Sequence, residues 1–112
     1  VTTIFSKIVR REAPADIIYE DDLCMAFRDI NPQAPTHILI VPKKEIPRLC
    51  DAEPEDRTLL GHLMLTAVKV ARMLGVENAF RLAVNNGAEA GQSVFHLHLH
   101  LLAGRKFHWP PG

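Results

Sequence analysis

The chemistry of this chain is concentrated in one run, His96-Leu97-His98-Leu99-His100-Leu101-Leu102. If the run is a strand, its period of two puts His96, His98 and His100 on one face and Leu97, Leu99 and Leu101 on the other. Successive histidines then stand roughly 6.5–7 Å apart. The chain has 6 histidines, and half of them fall within this run. A single strand histidine is readily structural, but three in register on an apolar strand ask for a chemical reason. One reason would be metal, with neighbouring imidazoles chelating Zn²⁺ and His37 as a further ligand. The ends of the row, about 13 Å apart, cannot both reach a coordination shell of about 2 Å. No Cys or Asp cluster lies beside them, so neither a metal nor another cofactor is expected. The other reason is catalysis at phosphorus. A neutral imidazole attacks through one nitrogen when the other keeps its proton in a fixed hydrogen bond. A second imidazole can neutralise phosphate charge or pass a proton to the leaving group. His98, with a histidine on each side, is the candidate nucleophile.

A phosphate cradle belongs beside such a row, and Gly91-Gln92-Ser93 stands two residues before the first histidine after it. Glycine lets the backbone approach an anion closely, and Ser93 adds a hydroxyl donor. As an isolated tripeptide it would be read as an ordinary turn.

The elements that must hold these residues are legible from periodicity. Thr3 to Arg10 puts Ile4, Phe5 and Ile8 on one helical face, stopped near Pro14. Ile17–Glu20 and Leu23–Asp29 read as two strands of a hairpin around Asp21-Asp22, without a glycine to fix the turn type. Pro32 to Pro35 is a loop, and Thr36 to Val41 is a strand covered on both faces. Pro42 and Pro47 bracket a connection. Pro54 to Leu74 is the long helix, with Pro54 in its first turn and acidic residues at its positive end. Its buried stripe is Leu59, Leu60, Leu63, Ala67, Val70, Ala71 and Leu74, and Gly75 ends it. His62 lies beside the stripe and reads as structural. Phe80 to Asn85 and Val94 to Leu102 are the last strands. The sum is α+β with a mainly antiparallel sheet.

Composition agrees with a globular domain: 112 residues, 47% hydrophobic and 23% charged, make one domain with a core of its own. The 13 basic and 13 acidic residues cancel, which argues against a nucleic-acid coat. Residues 1–56 carry 7 basic and 11 acidic groups, a balance of −4, and residues 57–112 carry 6 and 2, a balance of +4. A positive C-terminal half suits a small anionic ligand. The longest apolar run, Leu23 to Phe27, is too short to span a bilayer. No secretory signal is visible, although the chain begins at Val1 and a leader could have preceded it. Cys24 and Cys50 make neither a disulfide framework nor a metal motif, and a reducing compartment is expected.

The run from His96 to Leu102 resembles the histidine-triad (HIT) family, whose signature alternates three histidines with hydrophobic residues. More narrowly the chain is similar to the Hint branch, the purine nucleoside phosphoramidases. The matching segments are Ile4-Phe5 with Ile8, Phe27-Arg28-Asp29-Ile30, Ala34-Pro35-Thr36-His37, Val84-Asn85, Gly91-Gln92-Ser93-Val94 and the ending Trp109-Pro110-Pro111-Gly112. Ala103, where many relatives have glycine, and Asn86 are small departures outside the catalytic set.

The resemblance implies a single HIT domain over residues 1–112 and a homodimer in which two five-stranded sheets join into one of ten strands. It implies hydrolysis of the P–N bond of nucleoside 5′-phosphoramidates, as by an adenosine 5′-monophosphoramidase, through a nucleotidyl intermediate on His98. His100 would contact phosphate and assist the leaving group, with His96 and His37 as supporting imidazoles. Gly91, Gln92, Ser93 and Asn85 would hold phosphate, Leu99 would be a further nucleotide-binding residue, and Asp29 would bind the ribose hydroxyls. Ile4, Phe5, Ile8, Phe27 and Ile30 would form the purine pocket; by composition alone they read as core. Trp109 would cross the dimer toward the partner's site. The alternatives within the resemblance are a nucleotide-sensing regulatory protein, of the protein kinase C interactor type, and a dinucleoside polyphosphate hydrolase. The expected compartment is the cytoplasm, with the nucleus or an organelle open if a leader was lost. No nucleic-acid or membrane partner is expected.

Overall fold

The apolar face at the start of the chain forms a short helix, α1 (Ile4–Val9). Thr3 caps it: its hydroxyl accepts from the Ser6 N–H at 3.1 Å, while the Ser6 hydroxyl accepts from the Thr3 N–H at 2.8 Å. The computed structural model describes residues 2–112. Strands β1 (Ile17–Glu20) and β2 (Cys24–Arg28) form the expected hairpin. Its turn needs no glycine because Asp21 Oδ1 accepts the N–H groups of Leu23 and Cys24 at 2.8 and 2.9 Å.

Then come β3 (Thr36–Pro42), the long helix α2 (Arg57–Met73), β4 (Phe80–Ala83) and β5 (Leu99–Ala103). The start expected for α2 at Pro54 is instead a separate tight turn over Pro54–Asp56. There the Asp56 carboxylate turns back to accept the Glu53 N–H at 2.9 Å. The strands make one antiparallel sheet in the order β1-β2-β3-β5-β4. This is the α+β architecture expected, one long and one short helix on a five-stranded sheet. Among the described residues no helix is long and apolar enough to cross a membrane.

The pleat sorts side chains into two cores. On one face Cys24 and Ala26 of β2, Ile38 and Ile40 of β3, and Leu99 and Leu101 of β5 pack under Leu63, Ala67, Val70 and Ala71 of α2. On the other, Met25, Phe27, Leu39 and Val41 pack with Phe5 and Ile8 of α1. His37 and His100 belong to this second face, one pleat away from Ile38 and Leu101.

Two strand boundaries are corrected. The last strand was expected from Val94, but its ladder begins at Leu99, so His96 and His98 precede it. The cause is on its neighbour: β3 ends in Pro42, which has no N–H to donate to a continuing ladder. Leu97 instead donates its N–H to Ile46 O. The leucine phase survives, since Leu97 joins Leu99 and Leu101 under α2. Similarly β4 stops at Ala83, two residues before the expected Asn85, because its pairing with β5 ends at Ala83–His100.

Candidate active site

A cavity of about 810 Å³ opens on the α1 face of the sheet. Its apolar wall comes from α1 (Ile4, Phe5, Ile8), Phe27 of β2 and Leu39 of β3, with Ile30 at the rim. Asp29, Gly91 and Ser93 contribute polar groups, and His37, His98 and His100 supply the imidazoles. Eleven of the residues singled out by sequence therefore surround one space. Phe5 is the hinge of the arrangement, edge-on to Phe27 at 5.5 Å and to His98 at 4.9 Å between ring centroids.

Sheet register explains why the imidazoles meet. Leu39 lies opposite His100, so His37 is the diagonal same-face neighbour of His100. His37 Nε2 is 2.9 Å from His100 Nδ1 and 3.4 Å from Asp29 Oδ2. The rings of His98 and His100 are 4.9 Å apart.

Hydrogen-bond partners fix where the protons sit. His98 Nδ1 is 2.7 Å from His96 O. A carbonyl only accepts, so Nδ1 carries the proton and Nε2 keeps its lone pair. His37 Nδ1 accepts the Gln33 N–H at 3.0 Å, which places the His37 proton on Nε2, aimed at His100 Nδ1. Neutral His100 then carries its proton on Nε2. One imidazole thus offers a lone pair and its neighbour a proton, the pairing that nucleophilic displacement with an assisted leaving group requires.

Burial keeps these rings neutral. It pushes the pKa of His37, His96 and His98 below the ordinary imidazole value. His100, half-buried and beside two other imidazoles, is pushed down to about 4. Because folding lowers these pKa values, the unfolded chain binds more protons as the pH falls. The stability they contribute is whole above about pH 6.5 and is lost toward pH 4. Urea midpoints measured from pH 7.5 to 4.5 should fall by an amount worth a few kcal/mol of stability, and His100→Asn should flatten part of that fall. A midpoint independent of pH across this window would contradict the burial argument.

Five expected site residues do not line the cavity. His96 does not line the cavity; it is buried, and its Nε2 donates to Pro42 O at 2.7 Å. It still shapes the site through its carbonyl, which orients His98. Gln92 is buried and its amide is spent on the loop: Oε1 accepts from Gly87 N–H at 2.8 Å, and Nε2 donates to Pro47 O and Val94 O at 2.8 and 3.0 Å. It braces the turn that carries Gly91 and Ser93 and has no side-chain donor left for phosphate. The Leu99 side chain lies in the α2 core. Asn85 does not line the cavity; its amide nitrogen lies behind Gly91, 3.6 Å from where a Cβ at 91 would be. Trp109 is 82% exposed.

Sequence reasoning missed Gln33, whose contribution is a main-chain N–H and so leaves no mark on residue type. It also missed Leu39, Val94 and the segment Ala13-Pro14-Ala15, which line the cavity. Counting by two from His37 along β3 would have found Leu39.

An apolar cleft ending in neutral, proton-ordered imidazoles has room for a flat group along its wall and for an electrophilic, anionic one at its end. Known proteins share this arrangement of fold. The HIT domain family matches residues 10–107. A HIT-like protein of Synechocystis is 66% identical over 110 residues, covering 98% of this chain and 96% of the relative. Among solved structures, a HIT family hydrolase from Legionella pneumophila superposes with a TM-score of 0.96 at 46% identity, covering 99% of this chain and all of that one. A histidine triad nucleotide-binding protein from Candida albicans has a TM-score of 0.84 at 30% identity, covering 97% and 83% of the two chains. The protein belongs to the HIT family.

Proposed function

We propose that the protein is a nucleotide hydrolase that cleaves the P–N bond of purine nucleoside 5′-phosphoramidates through a nucleotidyl intermediate on His98. The observation that carries the reading is the His98 Nδ1–His96 O bond, which leaves Nε2 as a free nucleophile beside the His100 proton. The Legionella relative's description as a hydrolase and the Candida relative's as nucleotide-binding support it.

Nε2 of His98 attacks phosphorus and forms the P–N bond to the enzyme. The substrate's P–N bond breaks, and the amine leaves with the proton from His100 Nε2; the negative charge left on that ring is held by the His37 Nε2–H at its Nδ1 and by the cationic His98 ring beside it until water returns the proton. The modified His98 ring keeps its Nδ1 proton, so its positive charge faces the His96 carbonyl. Water then attacks phosphorus, gives its proton to His100 Nε2 and releases the nucleoside monophosphate, restoring both rings. The apolar wall takes the base, Asp29 the ribose hydroxyls, and Ser93 with the backbone at Gly91 the phosphate.

The reading extends to a homodimer, because β4 is an edge strand of the sheet and α2 exposes Met64, Leu65 and Met73. The exposed Trp109 would then serve the partner's cavity.

The test is intact mass after brief mixing with adenosine 5′-monophosphoramidate and acid quench. The expected result is a nucleotidyl adduct mapping to His98. Nucleotide binding with neither adduct nor turnover, on slow substrates as well, would replace the hydrolase reading with that of a nucleotide sensor.

A further inference from the structure

A second constellation of reactive side chains lies away from the cavity. Asp21 in the β1–β2 turn, Cys24 at the start of β2 and His62 on α2 bring a carboxylate oxygen, a sulfur and a ring nitrogen within 4.8 Å of one another. None of them lines the cavity, and the proposed hydrolysis uses none of them. We infer that Asp21, Cys24 and His62 form a Zn²⁺ site that clips the hairpin to α2, with water in the fourth position.

The donor set matches the ion. Thiolate, imidazole and carboxylate together favour zinc over the hard cations Mg²⁺ and Ca²⁺. Two anionic ligands and one neutral one cancel the charge of the ion, which suits a partly buried site. Bonds of about 2.0–2.2 Å to nitrogen and oxygen and about 2.3 Å to sulfur set tetrahedral donors about 3.3–3.7 Å apart. His62 Nε2 now stands 2.6 Å from Asp21 Oδ2. That pair must open by under about 1 Å, and the sulfur must close in by a similar amount, both within the reach of side-chain rotation.

The ligands are also supported from behind. Asp21 Oδ1 is held by the Leu23 and Cys24 N–H groups, which aims Oδ2 toward α2, and Oδ2 also accepts from the Tyr19 hydroxyl at 2.8 Å. Cys24 Sγ is 3.5 Å from Thr66 Oγ1. Such outer contacts orient ligands and raise affinity. Side-chain exposures of 25% for Asp21 and 33% for His62 leave the ion a way in, while Cys24 is fully buried behind them. In the metal-free state the same groups make an Asp21–His62 hydrogen bond. When zinc takes His62 Nε2, that proton shifts to Nδ1 and the ring stays neutral, while the Cys24 thiol proton leaves to solvent.

Cobalt tests this directly, because a thiolate bound to Co²⁺ gives a charge-transfer band in the near ultraviolet that imidazoles alone do not. Titration of the reduced protein with Co²⁺ should produce that band at one equivalent, and Zn²⁺ should abolish it at one further equivalent. Cys24→Ser should lose the band, and His62→Gln should weaken Co²⁺ binding at least tenfold. Cys50→Ser and His37→Ala should leave the band intact. Should Cys24→Ser fail to fold, the partly exposed His62→Gln carries the test alone. A wild-type protein without the band, or a band that survives His62→Gln at full affinity or follows His37, would overturn the site. The readout is independent of hydrolysis, so it stands or falls apart from the proposed activity.

Discussion

His98→Ala should lower phosphoramidate hydrolysis by at least about a thousandfold while the protein stays folded. The loss is large because no other group takes over: the His37 lone pair at Nδ1 is occupied by the Gln33 N–H, and His100 Nδ1 is occupied by His37. Folding survives because the segment is anchored on its other side. Leu97 and Leu99 stay packed under α2, and the ring removed leaves a gap open to the cavity in which water can satisfy His96 O. Paired measurements of steady-state rate and thermal unfolding check this. A variant that turns over at more than about a tenth of the wild-type rate would remove His98 from the nucleophile's role.

Gly104→Ala should cost about 2–3 kcal/mol of stability and reduce kcat more than it raises KM. Gly104 has φ of +96°, and a Cβ there would stand 2.8 Å from Cβ and 3.2 Å from Cγ of Pro35. A proline ring cannot swing aside, so the loop itself must move. That loop carries Gln33, whose N–H fixes the proton of His37 and, through it, that of His100. Arg105 reinforces the link by donating Nε–H to Gln33 O at 3.2 Å. The two effects should therefore appear together, in urea unfolding and in kcat. Unchanged kcat in a destabilised variant would uncouple the loop from the proton order.

The two faces of the sheet were legible because burial imposes a strict rhythm. Leu97, Leu99 and Leu101, the α2 stripe, and Ile4, Phe5 and Ile8 all follow from period alone. What escaped the sequence depends on partners far along the chain. That β5 begins at Leu99 follows from the missing N–H of Pro42, whose carbonyl also takes the His96 ring from 54 residues away. Gln92 was expected to hold phosphate through the family resemblance; only the positions of Gly87, Pro47 and Val94 show that its amide is already engaged. His62 was read as structural, and no local pattern joins it to Asp21, 41 residues earlier.

The ribbon from Leu97 to Leu101 has core on one side and chemistry on the other. Substituting one residue in it alters one contact or one chemical group, but inserting or deleting one between Leu97 and Leu101 exchanges the sides beyond that point, turning an imidazole toward α2 and a leucine toward the cleft. Chain length in this stretch is therefore constrained as tightly as the identity of His98: one residue more or fewer would cost the packing and the chemistry together.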